Sequence, residues 1–167
     1  ACHTSDPLYT VGTGIYNFPE FGLTGALAAQ NKISKGWGLA AKGGQDYGAV
    51  YNAAILCYMV TGAINAEDLT NLMVTSSGFD YTFSELAECG ERIWHMKRGI
   101  NNLMGMTNKD DRLPVRMLTS ATEGGAAGSV PDMKTLLEEF YPVRGLDSEG
   151  RSTKETLARL GPNDLAA

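Results

Sequence analysis

The chain has 167 residues, with 19 acidic against 14 basic side chains, a net charge of −5, three cysteines and 20 glycines. That length holds one ordinary domain or two small lobes around a real core. With no run of lysine or arginine there is no phosphate-binding stripe, which argues against nucleic acid as a partner. The longest apolar run, 53–60, is far short of the roughly 20 residues that cross a bilayer, so no membrane span is expected.

The chain opens Ala1-Cys2-His3, with no initiator methionine and no basic flank or apolar segment of a signal peptide, and reads as a cut inside a longer protein. Cys2, Cys57 and Cys89 are odd in number and widely spaced. They suggest no disulfide framework, and a reducing compartment such as the cytoplasm is expected.

Over 1–44, Pro7, Gly12, Gly14, Pro19, Gly22, Gly36, Gly38, Gly43 and Gly44 interrupt every apolar run, and a long loop-rich segment is expected there. Residues 46–61 read as a helix apolar nearly all round, ended by Gly62. Asn65, with Asp68 three residues on, starts a short helix to about Thr75. Thr82-Phe83-Ser84-Glu85 is a capping box opening the longest helix. The packed face of that helix reads as Leu86, Gly90, Ile93, Lys97, Ile100 and Met104, and Gly105 closes it.

An extended charged stretch, 108–116, follows, and Asp110 and Asp111 read as a turn tied by ion pairs rather than a carboxylate site. Ser129, Pro131 and Asp132 start a helix whose inner face is Met133, Leu136, Leu137, Phe140 and Tyr141, stopped by Pro142. Ser152-Thr153-Lys154-Glu155 is a second capping box, and the last helix ends at Gly161 and Pro162. No repeat and no long alternating stretch occurs. The fold expected is all-α, an irregular multihelical domain with a loop-rich N-terminal segment over 1–44 and a helical body over 45–167.

Few residues suggest chemistry on their own. There is no P-loop, HExxH or CxxC, nor a GxGxxG between a strand and a helix. His3 beside Cys2 suits a metal pair or a proton-transfer group, although such a dipeptide in a loop is more often unremarkable. Cys57 on an apolar helix reads first as a small core hydrophobe, and Cys89 likewise. Arg92, Lys97 and Arg98 read as a surface pattern with Glu88 and Glu91, and His95 carries no assigned role.

The series Gly90-Glu91-Arg92-Ile93-Trp94, Arg98, Asn101, Gly105 and Asp110-Asp111-x-Leu113-Pro114-x-Arg116 resembles the closing region of the aldehyde ferredoxin oxidoreductase family. The resemblance continues through Glu139-Phe140-Tyr141, Arg144-Gly145-Leu146-Asp147, Gly150, Leu157 and Leu160-Gly161. Ala1-Cys2-His3 is similar to the family's Gly-Ala-Cys-His element. Residues 52–57, Asn-Ala-Ala-Ile-Leu-Cys, are similar to its pterin-contacting Asp-x-x-Gly-Leu-Cys motif at the last two positions.

The resemblance implies the C-terminal domain of a tungsten-pterin enzyme, with molybdenum as the alternative metal, that oxidises small aldehydes to carboxylic acids and hands electrons to ferredoxin. It implies His3 as the catalytic proton donor or acceptor and Cys57 as the fourth thiolate of a [4Fe-4S] cluster. Asn52, Leu56, Cys57 and, more loosely, Ser5 are its implied cofactor contacts. Residues 1–44 would face the cofactor. The implied partner is the enzyme's own N-terminal pterin-binding domain, not contained in this sequence, and a homodimer is compatible with the pattern. Alone, the chain is expected to bind neither tungsten nor an intact cluster and to be inactive.

Two departures accompany the match. Asn52 replaces the motif's aspartate with an amide, and Ile55 puts a branched side chain where the family has glycine. They favour the alternative reading, a cofactor-free helical interaction domain derived from the same family.

Overall fold

The computed structural model describes residues 36–57, 60, 63–125 and 127–162. His3 and Ser5, with the rest of the chain before Gly36, lie outside the described residues. Among those described there are five α-helices: α1 (Trp37–Ala53), α2 (Ala66–Ser77), α3 (Phe83–Leu103), α4 (Met133–Arg144) and α5 (Lys154–Leu160). Short 3-10 turns at Asn108–Asp110 and Val115–Leu118 lie between α3 and α4. The described residues form no strand beyond the isolated bridges Ala121↔Ala127 and Leu146↔Ser152, so the all-α reading holds.

Helix α1 is the central strut, packed against both α3 and α4, while α3 also touches α2 and α5. Its range corrects the sequence reading at both ends: it begins at Trp37, inside the glycine-rich stretch, and stops at Ala53, well before residue 61. Glycines weaken an isolated helix by about 0.5–1 kcal/mol each, which is why they read as breakers. Here Gly38, Gly43, Gly44 and Gly48 are buried, and at Gly38 the missing side chain lets α4 come close. A Cβ on Gly38 would lie 2.7 Å from the Glu139 Cβ, and one on Gly90 of α3 would collide with the Asp46 carbonyl oxygen.

The cap signals were legible. Asn65 with Asp68 and Thr82 with Glu85 form reciprocal capping boxes. Gly161 ends α5 in the left-handed conformation. The second expected box does not form: Thr153 caps α5 by accepting from the Thr156 N–H, while the Ser152 hydroxyl meets His95. Pro142 does not stop α4. The helix runs on to Arg144, and Gly145 in the left-handed conformation ends it.

The packed face of α3 also differs from the expected one. Leu86, Gly90, Glu91, His95, Arg98 and Gly99 are buried, whereas Lys97, Ile100 and Met104 are exposed. The close crossing at Gly90 draws in Glu91 beside it, Arg98 is buried about two turns further on, and both charges are met by partners. The apolar core is compact: Ala40, Tyr47, Val50, Tyr51 and Leu69, with Trp37, Leu56, Ile64, Met73, Phe83 and Ala87 packed against it.

Candidate functional site

Three candidate residues, Asn52, Leu56 and Cys57, lie in and just after the last turn of α1, and hydrogen bonds define their geometry. The Leu56 N–H donates to the Tyr51 carbonyl at 3.0 Å, and the Ile55 N–H donates to the Asn52 carbonyl at 3.2 Å. This pair of bonds is the Schellman ending, which turns the chain sharply through one left-handed residue. That residue is Ile55, with φ +57°, the one non-glycine residue with positive φ among those described. A β-branched side chain in this region costs about 1–2 kcal/mol. The same ending closes α4, where Gly145 takes the left-handed position and Leu146 donates to the Tyr141 carbonyl.

The turn sorts the side chains. Leu56 is half-buried against the core, the apolar contact that usually accompanies this ending. Asn52 and Cys57 are exposed, and Ile55 is 92% exposed. The Cys57 thiol is free. Cys57 thus stands at the surface just past a helix end, not within a buried apolar helix as the residue pattern suggested. Cys89 is half-buried and accepts a long contact from Arg92 Nη1 at 3.6 Å.

Behind this turn lies a buried ionic network that sequence reasoning missed. Arg144, the last residue of α4, is fully buried. Its Nη1 pairs with Asp46, and its Nη2 donates to Gln45 Oε1 at 2.8 Å and to the Lys42 carbonyl at 3.3 Å. The guanidinium lies 4.2 Å from the Trp94 ring centroid and 5.8 Å from that of Phe140, positions that add cation–π attraction. Lys42 bridges Asp46 at 2.8 Å and Glu91 at 3.3 Å, and Arg159 reaches Glu91 at 2.9 Å. Burial works against the Glu91 charge, but the Arg159 hydrogen bond and the Lys42 and Arg159 charges outweigh it and hold the carboxyl below its usual range.

His95 is fully buried beside this network. Its Nδ1 meets the Ser152 hydroxyl at 2.6 Å, and its Nε2 has no partner in hydrogen-bond geometry among the described residues. Burial, and then the Arg144 charge, push its pKa down to about 4, so the ring is neutral at pH 7. Arg98, read from sequence as a surface charge, is buried as well. It clasps Asp111 through two 2.7 Å bonds and donates to the Gly150 carbonyl at 2.6 Å. The Tyr141 hydroxyl also donates to Asp111 at 2.7 Å, and burial with that bond pushes the phenol up to about 12. Asp110 caps its own turn through the Thr107 N–H. Of the two aspartates, Asp111 enters an ion pair, with Arg98 of α3, whereas Asp110 serves as a cap. The available signal for Arg144 was its place in the inner stripe of α4, after Met133, Leu137 and Phe140, where an ionisable residue must be paired.

A family model described as "Aldehyde ferredoxin oxidoreductase, domains 2 & 3" matches residues 1–161. The chain belongs to the aldehyde ferredoxin oxidoreductase family. Among similar proteins, the tungsten-containing aldehyde ferredoxin oxidoreductase of Pyrococcus horikoshii is 36% identical over 119 residues, which is 70% of this chain and 20% of that protein. Those of Pyrococcus abyssi and Pyrococcus furiosus are each 34% identical over the same shares. The chain spans about a fifth of the length of the curated relatives it matches.

For a member of the aldehyde ferredoxin oxidoreductase family, the donor chemistry at the end of α1 fits part of a cofactor site. Cys57 offers one soft thiolate donor, the ligand type that iron–sulfur clusters take, and exposed Asn52 offers an amide that donates and accepts. No group of three or more His, Cys, Asp or Glu side chains that could hold a metal occurs among the described residues. Cys57 alone could fill at most one ligand position. Nor is any helix of the described residues long and apolar enough to cross a membrane.

Proposed function

We propose that this chain is the C-terminal part of a tungsten-pterin, iron–sulfur oxidoreductase that oxidises aldehydes to carboxylic acids with ferredoxin as electron acceptor, and that it supplies one face of the cofactor site. The supporting observation is the free, exposed Cys57 thiol, held just past a Schellman turn in a chain that matches the family over residues 1–161. In this reading Cys57 is the fourth thiolate of a [4Fe-4S] cluster. The other three ligands, the pterin-binding domain and the ferredoxin contact belong to parts of the enzyme outside this sequence.

The tungsten-pterin and the cluster, when bound, supply the two-electron oxidation and the single-electron path out of it. The chain's own residues supply placement and proton handling. Leu56 is half-buried on the core side of the turn, so it acts on the cofactor through the backbone position it fixes rather than through its side chain. Asn52 faces outward from the last turn of α1 and serves as a pterin contact through its amide. His3 holds or releases a proton at the reacting carbon's substituents, a role imidazole fills near neutral pH, with Ser5 as an adjacent cofactor contact.

Replacing Cys57 with alanine in the complete enzyme tests the reading. The expected result is loss of the reduced-cluster electron paramagnetic resonance signal with the fold retained. An unchanged signal would remove Cys57 from the ligand set. The amide at Asn52 and the branched side chain at Ile55, at two motif positions, favour a second reading, a cofactor-free helical interaction domain. Under that reading the complete protein would carry no cluster before or after substitution.

A further inference from the structure

We propose that Arg144 is a positioning residue for the Cys57 thiolate, acting through helix α1. The inference rests on the reading of Cys57 as a cluster ligand.

The buried surface of α1 mixes small residues, Gly38, Ala40, Gly43, Gly44, Gly48 and Ala49, with Tyr47, Val50 and Tyr51, which enter the apolar core. The core side chains hold one part of the α1 surface, while its small residues pack closely but interlock poorly with their neighbours. Helix α4 adds two polar locks. The Glu139 carboxylate accepts from the Gly36 N–H at 2.8 Å and from the Gly38 N–H at 3.4 Å, capping the first turn of α1, where Gly36 has no side chain to do so. Arg144, five residues on, grips Asp46, Gln45 and the Lys42 carbonyl.

Turning α1 by one residue, about 100°, would break every one of these contacts at once. Arg144 is itself fully buried, with the Trp94 and Phe140 rings beside its guanidinium at the end of α4. Asp46 is two turns, about 10 Å, before the end of α1, where the Schellman turn directs the chain to Cys57. A rigid helix carries the setting made at Arg144 directly to that turn. Lysine could keep the charge, but a single ammonium cannot reproduce the planar fork that holds three separate acceptors.

The test uses the complete holoenzyme. Arg144→Lys is compared with Leu69→Ala, which thins the core without touching the clamp, and with Gln45→Leu, which removes one of its three acceptors. Arg144→Lys is expected to alter the electron paramagnetic resonance line shape of the reduced cluster and to speed loss of iron to a chelator by about tenfold, the lower end of the effect seen for groups that orient metal ligands. Gln45→Leu is expected to change the same readouts in the same direction by less, and it carries the test if Arg144→Lys does not fold. Leu69→Ala is expected to lower the melting temperature with a wild-type line shape. A wild-type line shape in both clamp variants, or an equal change in Leu69→Ala, would overturn the proposal. An unchanged cluster in Cys57→Ala would instead overturn the reading beneath it.

Discussion

Ile55 occupies a backbone position that glycine fills at little cost, and its φ of +57° is set by the two hydrogen bonds that close α1. Because the side chain is 92% exposed, removing it sacrifices little packing. Ile55→Gly is therefore expected to raise stability by about 1 kcal/mol in urea unfolding, the relief of left-handed strain exceeding the added freedom of the unfolded chain. A loss of stability would mean that the side chain has a partner. Arg144→Met is expected to cost about 3–5 kcal/mol, because it strands Asp46 in the interior with Lys42 as its remaining cation. The identity of residue 55 was legible as a departure from the family motif. Its conformation was not, because left-handed geometry follows from how the helix ends, which a shifted helix boundary concealed.

At the scale of elements, the helices marked by side-chain caps were legible and the helix built on glycine was not. Asn65 and Thr82 announce α2 and α3 locally, through bonds to N–H groups three residues away. Nothing local announces α1. Its start depends on Glu139, more than a hundred residues later, and Gly38 is explained by the helix that crosses it there. Gly38→Ala and Gly90→Ala are each expected to destabilise by about 2 kcal/mol or more, because the added methyl meets backbone or Cβ atoms that cannot move aside. Gly125→Ala, where nothing lies within 4 Å, is expected to stay within about 0.5 kcal/mol of the parent. Costs at Gly38 and Gly90 no larger than that at Gly125, or a gain in stability from the better helix former, would show that close approach does not govern these sites. The α3 stripe was misread for a related reason: periodicity finds apolar residues, whereas this interface is made of glycine and paired charge.

Across the whole molecule, the buried polar centre couples stability to pH. His95 titrates near 6.5 when unfolded and near 4 when folded, so the unfolded state takes up the proton first. Its contribution is complete above about pH 6.5 and is lost as the pH falls toward 4, by no more than about 3 kcal/mol. The groups facing it from the packed helices are Arg144 on α4, Glu91 on α3 and Lys42 on α1, and Glu91, held low in the folded state, steepens the loss at the acid end. Urea midpoints measured from pH 7.5 to 4.5 should therefore fall, and His95→Gln should flatten that fall. A pH-independent midpoint would contradict the buried, neutral ring. The helical class and the family were legible because caps and spaced motifs are written locally. The network was not, because Asp46, Glu91, His95 and Arg144 look like surface residues until the fold brings them together.

The most direct test of the functional account is elemental analysis of the complete protein purified without oxygen. About four irons and one tungsten, or one molybdenum, per chain are predicted. A folded protein containing iron and heavy metal at well below one atom per chain would contradict the account and leave the helical scaffold as an interaction domain.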